Sequence, residues 1–345
     1  MYRNTINRFR ILALAGAVLL WTACSSGGAG KGRFVVEQPP ASTPASAASP
    51  APQTTRAAQP ASSPSPVTDE SLLALDGPGN GEAEIGTPEA NKLYLQLSEE
   101  EQYEFIERRA RHISRMISNG TYEFSRPSIS YIKQYVDAYA SRVGNRSKVR
   151  WGEDLNSVFR RGEQYAPVII QAFNARRIPP AIGLYLVAVE TEYTNFSQEN
   201  EAGAAGLFQF IPSTAESYGV APSQRTNVDM MAKAAAHYVG DRIAEFGTDP
   251  MSVALCIAGY NRNPDSVRSD LQSVMNSANK ERSFWTLVTN SSKLDKWFQG
   301  ENIKYVPKYF AAAVVGETPW AFGLTMRQPL STCTGAVDDS TARTQ

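Results

Sequence analysis

The eleven residues from Pro180 to Glu190, PAIGLYLVAVE, constrain the fold of this chain more than any other stretch. They are apolar on every side of a helix, so a helix formed here has no face for water and must be surrounded by other elements. The run is too short to cross a bilayer and reads instead as the centre of a globular core. It ends on a carboxylate, Glu190, just before a loop that carries the small residues Gly203-Ala204-Ala205-Gly206.

The elements expected around it are also helical. Ser98-Glu99-Glu100-Glu101 has the form of a capping box, after which Ile106, Ala110, Ile113 and Ile117 recur at helical spacing and Gly120 closes the segment. A second helix follows Pro127, with Ile129, Ile132, Val136, Tyr139 and Val143 on one face and Gly144 as its stop. Further helices are expected at about 153–161, 163–177, 180–191, 228–246, 250–259, 264–276, 281–289 and 302–315. Strict alternation of apolar and polar residues is nowhere sustained, so the fold class is all-α.

The N-terminal quarter has a different character. Arg3, Arg8 and Arg10 precede the apolar run Ile11 to Ala23, the pattern of a secretory signal. Trp21-Thr22-Ala23-Cys24 at its end resembles a bacterial lipoprotein lipobox, which implies a lipid on Cys24, an outer-membrane anchor and a periplasmic location in a bacterial envelope. Eight prolines lie between Pro39 and Pro66 among Ala, Ser and Thr, too little apolar surface to fold. Residues 24–90 are therefore expected to be a disordered tether, of which roughly 60 residues span about 45 Å as a relaxed coil.

Composition removes several kinds of chemistry. The 34 basic and 34 acidic residues balance, and loss of the signal leaves the chain slightly acidic, which argues against nucleic acid as a partner. There are two histidines, His112 and His237, and no HExxH or Cys/His spacing suited to a metal, so neither a metal nor a cofactor is expected. No GxSxG, P-loop or GxGxxG occurs. Cys256 and Cys333 fit two readings, a disulfide in an oxidising compartment or two unpaired thiols with Cys256 buried in a helix.

Carboxylate chemistry remains. Flanked by Val187, Ala188 and Val189, Glu190 is expected to be desolvated, with its pKa above the ordinary ~4.3. A protonated carboxyl near neutral pH is what a glycosidic oxygen requires of a general acid. By residue pattern alone, a solvated glutamate at a helix end fits the same positions. Glu192, Glu199 and Glu201 lie in a polar stretch and are expected to face solvent.

Three blocks, in order, carry a family resemblance: Val189-Glu190-Thr191-Glu192-Tyr193 followed by Gly203-Ala204-Ala205-Gly206-Leu207-Phe208-Gln209-Phe210-Ile211-Pro212-Ser213-Thr214, then Ala258-Gly259-Tyr260-Asn261, then Glu301 through Tyr305-Val306-Pro307. Together they resemble the lytic transglycosylase (SLT) domain and are most similar to the membrane-bound lytic murein transglycosylase D type, without its LysM repeats. The resemblance implies a lysozyme-like domain over 165–325, preceded by a helical region over 91–164 and followed by a tail over 326–345. The signal would occupy 1–23. It also implies peptidoglycan glycan strands as substrate, cleaved at the MurNAc-β-1,4-GlcNAc bond to leave 1,6-anhydroMurNAc ends, with Glu190 as the single acid and base. Thr191, Gln209, Tyr260 and Asn261 would contact the sugar or line the cleft, Tyr260 orienting either Glu190 or the substrate. Two other readings share the cleft: a hydrolytic muramidase and a non-catalytic peptidoglycan-binding lipoprotein. Protein partners are not indicated.

The sequence departs from the family pattern in three places. Thr191 replaces the usual Ser, the gap between Glu190 and Gly203 is one residue longer, and Asn261-Arg262-Asn263 replaces Asn-Ala-Gly. Asn tolerates positive φ better than other non-glycine residues, so the turn at Asn263 is expected to survive.

Overall fold

Ser98 and Glu101 start the first helix by capping each other. The Glu101 N–H donates to Ser98 Oγ at 3.3 Å, and the Ser98 N–H donates to Glu101 Oε2 at 2.6 Å. In this computed structural model the described residues are 92–147, 151–275 and 280–334. The signal, Cys24, the tether and most of the C-terminal tail lie outside them.

Among the described residues there are ten α-helices and no strands: α1 (Glu99–Ile117), α2 (Arg126–Ala140), α3 (Leu155–Asn174), α4 (Pro180–Thr191), α5 (Pro212–Ser217), α6 (Val228–Phe246), α7 (Pro250–Arg262), α8 (Pro264–Met275), α9 (Phe284–Thr289) and α10 (Ile303–Glu317). The fold is all-α, as the periodicity required. Two isolated bridges, Phe196 with Gly206 and Ala205 with Phe210, pin the loop after α4. No helix among the described residues is long and apolar enough to cross a membrane.

The all-apolar run is α4, and every residue from Ala181 to Ala188 is buried. It packs against α3 and α10, with α1 and α6 completing its surroundings. α1 and α2 lie on α10, so residues 92–147 belong to the same compact unit as the remaining described residues. Burial on all sides, rather than helix propensity, stabilises α4, since twelve residues form too short a helix to persist alone in water.

One expected boundary is corrected. Residues 153–161 and 163–177 are not separate helices but parts of the single helix α3, which passes through Gly162. That glycine is a contact rather than a stop: a Cβ there would stand 3.0 Å from Cε2 of the buried Tyr193 ring. The Asn263 turn does survive, at φ +94°, with its N–H donating to Gly259 O at 2.9 Å.

Candidate active site

α4 ends in a left-handed cap. Glu192 takes φ 48°, ψ 42°, and its N–H donates to Ala188 O at 3.1 Å. Tyr193 at φ 60° and Gln209 at φ 53° share this sparsely populated conformation. Such non-glycine residues persist only where the surroundings over-determine them, and here they bend the loop back over the end of α4.

Several groups lock that loop. The buried Thr191 hydroxyl lies 3.1 Å from both Val187 O and Leu207 O. Arg225, 5% exposed, donates from Nη1 to Gly203 O at 2.6 Å and Phe210 O at 3.0 Å, and from Nη2 to Glu199. Gly206 has φ +76°, and a Cβ there would come within 1.9 Å of Arg225 O, so no other residue fits. Asn200 Oδ1 accepts from the Ala202 and Ala204 N–H groups at 2.9 and 3.0 Å, which gives the longer Glu190-to-Gly203 connection its own internal anchor.

Glu190, in the last turn of α4, is hemmed in by side chains yet keeps part of its surface open. The Tyr305 hydroxyl, from α10, donates to its Oε1 at 2.5 Å. Burial pushes its pKa up to about 7, against the lowering effects of the Tyr305 hydrogen bond and the Lys308 ammonium. Desolvation therefore outweighs both stabilising partners, and near neutral pH the site holds an acid that can give up its proton and take it back.

Tyr260 lies beside the same carboxyl, and its hydroxyl donates to Phe208 O at 2.8 Å. It supports the loop, while the hydroxyl that reaches Glu190 comes from Tyr305. Asn261 Oδ1 accepts from Asn302 Nδ2 at 3.0 Å, and the same Nδ2 donates to Ala258 O at 3.0 Å. Asn302, fully buried, closes the π-helical turn Phe298–Asn302 that leads into α10. Asn261 thus ties α7 to the turn that sets the register of Tyr305. Gln209 donates from Nε2 to Gly206 O at 2.8 Å and accepts at Oε1 from Asn200 Nδ2 at 3.3 Å, which leaves one amide hydrogen and one lone pair for a ligand.

Glu190, Gln209 and Tyr260 are therefore gathered at one end of α4, with Asn261 and Thr191 bracing the elements around them. Thr191 is corrected as a sugar contact: its side chain is buried and its hydroxyl is engaged by backbone carbonyls. Glu192 is corrected as a solvent-facing residue. It is 4% exposed and accepts two hydrogen bonds from Arg142, at 2.6 and 2.9 Å. Glu201 is exposed, and Glu199 is exposed but bonded to Arg225. Of the two readings of the cysteines, the structure has the unpaired thiols. Cys256 and Cys333 are free thiols, Cys256 buried in α7 near Val239 O and Cys333 beside Gln328 and Pro329.

The residues around Glu190 also fit a known family. Residues 167–283 match the family model of the transglycosylase SLT domain. No curated protein matches the chain. The match supports the lytic transglycosylase family and peptidoglycan as substrate, and the SLT segment has a lysozyme-like helical fold. Glu190, Thr191, Gln209, Tyr260 and Asn261 all fall within the SLT segment, whereas Tyr305, Lys308 and Arg142 lie outside it. Those three were not singled out as site residues from the sequence. A signal for Tyr305 existed in the Tyr305-Val306-Pro307 block; Lys308, on α10, and Arg142, in the turn after α2, had none.

Proposed function

We propose that the protein is a peptidoglycan lytic transglycosylase that cleaves the MurNAc-β-1,4-GlcNAc bond with Glu190 as its only acid and base. The observation that carries this reading is a carboxyl with its pKa pushed up to about 7 by burial and hydrogen-bonded by Tyr305, while Glu192 and Glu199 are engaged by other partners and Glu201 faces solvent. Glu192 is held by Arg142 and Glu199 by Arg225. A hydrolase of the usual kind requires a second carboxylate to activate water or attack the sugar.

In the first step Glu190 gives its proton to the bridging oxygen. The bond from that oxygen to the MurNAc anomeric carbon breaks, and GlcNAc leaves with a free 4-hydroxyl. In the second, the Glu190 carboxylate takes the proton of the MurNAc 6-hydroxyl as that oxygen bonds to the anomeric carbon. The product is the 1,6-anhydro ring, no water is consumed, and Glu190 is protonated again. Holding both groups in one sugar makes the attack effectively unimolecular. Tyr305 keeps the carboxyl aimed through both transfers.

Mass spectrometry of digests of purified sacculi tests this reading. The expected new ends are 1,6-anhydroMurNAc, lighter than borohydride-reduced MurNAc ends by one water and two hydrogens. Reducible ends instead would make the protein a muramidase. Pelleting with sacculi without any muropeptide release would make it a binding protein.

The proposal extends to the envelope. The lipobox-like Trp21-Thr22-Ala23-Cys24 supports an outer-membrane lipid anchor facing the periplasm, with the Pro-rich stretch as the tether between lipid and enzyme. Cys24→Ala is expected to move the protein from the membrane fraction to the soluble fraction of cells. Unchanged partition would rule the lipid out.

A further inference from the structure

α2 carries tyrosines at every fourth residue, Tyr131, Tyr135 and Tyr139, which places them in a row on one face. Neighbours in the row are offset by about 6 Å along the helix axis, close to the length of one pyranose ring. Exposure decreases along the row: Tyr131 is 38% exposed, while Tyr135 and Tyr139 are half-buried. At the inner end Tyr139 lies by the Arg142 guanidinium, 5.7 Å from its ring centroid, and within the field of Glu192. Among the described residues, none of the three hydroxyls is hydrogen-bonded within the protein.

Lys308 joins this row to the catalytic carboxyl. It follows Tyr305 by three residues on α10 and so shares its face. Its ammonium is 5.7 Å from the centroid of the Tyr135 ring, and its charge acts on Glu190. Lys304 on the same helix pairs with Glu301 at 3.9 Å, whereas Lys308 has no ion pair among the described residues. A half-buried ammonium with three unused hydrogen-bond donors is an incomplete arrangement: the surrounding carboxylates Glu301, Glu190 and Glu192 act on its charge, but burial still outweighs them and pulls its pKa down.

We infer that Tyr131, Tyr135 and Lys308 form a further saccharide subsite, contributed by helices outside the SLT segment, for the strand held at Glu190. A sugar ring lies with its apolar face against the tyrosines, and Lys308 donates to a carboxylate of the peptide-bearing substituent. The occupant follows from continuity: the lysine that meets the tyrosine row also acts on the catalytic carboxyl, so a strand placed for cleavage has this face beside it. Aromatic rings suit the flat C–H faces of sugars, and an unpaired ammonium forms its strongest hydrogen bonds with anionic oxygen. The inference rests on the function proposed above for its choice of ligand.

Tyr131→Ala and Lys308→Met in the full chain test it, with Lys308→Arg as the conservative control. Two quantities are read: Kd for insoluble peptidoglycan by pelleting, and KM with kcat on solubilised glycan strands. Tyr131→Ala is expected to raise Kd and KM together by about 3- to 10-fold, the range of one aromatic contact. Lys308→Met is expected to raise both by at least about 10-fold, as for a charged hydrogen bond, with Lys308→Arg recovering most of the loss. Unchanged Kd and KM in both variants would overturn the subsite. So would a Lys308→Met effect confined to kcat and its pH profile together with an unaffected Tyr131→Ala, because Lys308 would then act on Glu190 alone. Melting temperatures identify misfolding, and the exposed Tyr131 site keeps the test decisive if Lys308→Met is unstable. If the wild-type protein binds peptidoglycan without cleaving it, the catalytic proposal fails while Kd still judges the subsite. If the wild type cleaves and both variants match it, the subsite alone fails.

Discussion

Glu190→Gln is expected to lower turnover on sacculi by at least ~100-fold, the low end for loss of a general acid, while making the protein more stable at pH 8. The amide has the shape of the protonated acid and still accepts from Tyr305, but it cannot cycle a proton. The gain in stability follows from the raised pKa. Glu190 titrates at about 7 in the folded protein, and its ordinary unfolded value is near ~4.3. Between those values the folded state binds more protons than the unfolded state, so stability is full below the lower value and falls as pH rises toward the upper one. The penalty approaches about 4 kcal/mol well above pH 7 and is absent from the amide. Denaturant unfolding of both proteins should therefore agree at pH 4 and diverge at pH 8. Equal stability at pH 8 would contradict a desolvated carboxyl, and retained turnover would move the catalytic role elsewhere.

Arg142→Ala is expected to destabilise the fold by about 3–5 kcal/mol, the cost of leaving a buried charge uncompensated. The Arg142 and Glu192 side chains are 11% and 5% exposed, so the carboxylate left behind cannot be reached freely by water. Its loss extends beyond one ion pair. Arg142 also donates from Nε to Glu153 O at 3.0 Å, while Arg161 donates to the Glu192 carbonyl, so two guanidinium groups hold the left-handed cap of α4 and loss of Arg142 leaves one. Glu192→Gln should lose stability too, because the neutral amide cannot match a bidentate guanidinium, while each folded molecule keeps most of its turnover. Pairing Arg142→Met with Glu192→Met should cost less than Arg142→Ala alone, since neither charge then remains buried. The measurement is urea unfolding of these three variants beside the wild type. A loss under about 1 kcal/mol for Arg142→Ala would place the pair among weak surface contacts.

The helical class and the central element were legible in the residues because both depend on local spacing. PAIGLYLVAVE has no polar face, so its burial was determined wherever the partners came from, whereas the residue pattern alone left the carboxyl at its end either desolvated or solvated. The small-residue loop was visible as a run of Gly and Ala, but the Arg225 carbonyl that leaves no room for a side chain at Gly206 comes only with the fold. Periodicity gives a residue its face but not the group it meets there. Tyr305 reaches Glu190 across 115 positions and Arg142 reaches Glu192 across 50, and only the packing of α10 on α4 and the turn that follows α2 bring them together. The same distinction explains why Glu192 was misplaced: a polar stretch reads as solvated unless a distant guanidinium is known to cover it. It also explains Thr191, whose hydroxyl is engaged by Leu207 only once the loop folds back. The sequence by itself determined that the segment leading to Glu190 would be driven out of water. The tertiary structure decided which groups hold the carboxyl at its end, because burial is a property of one segment and hydrogen bonding requires two.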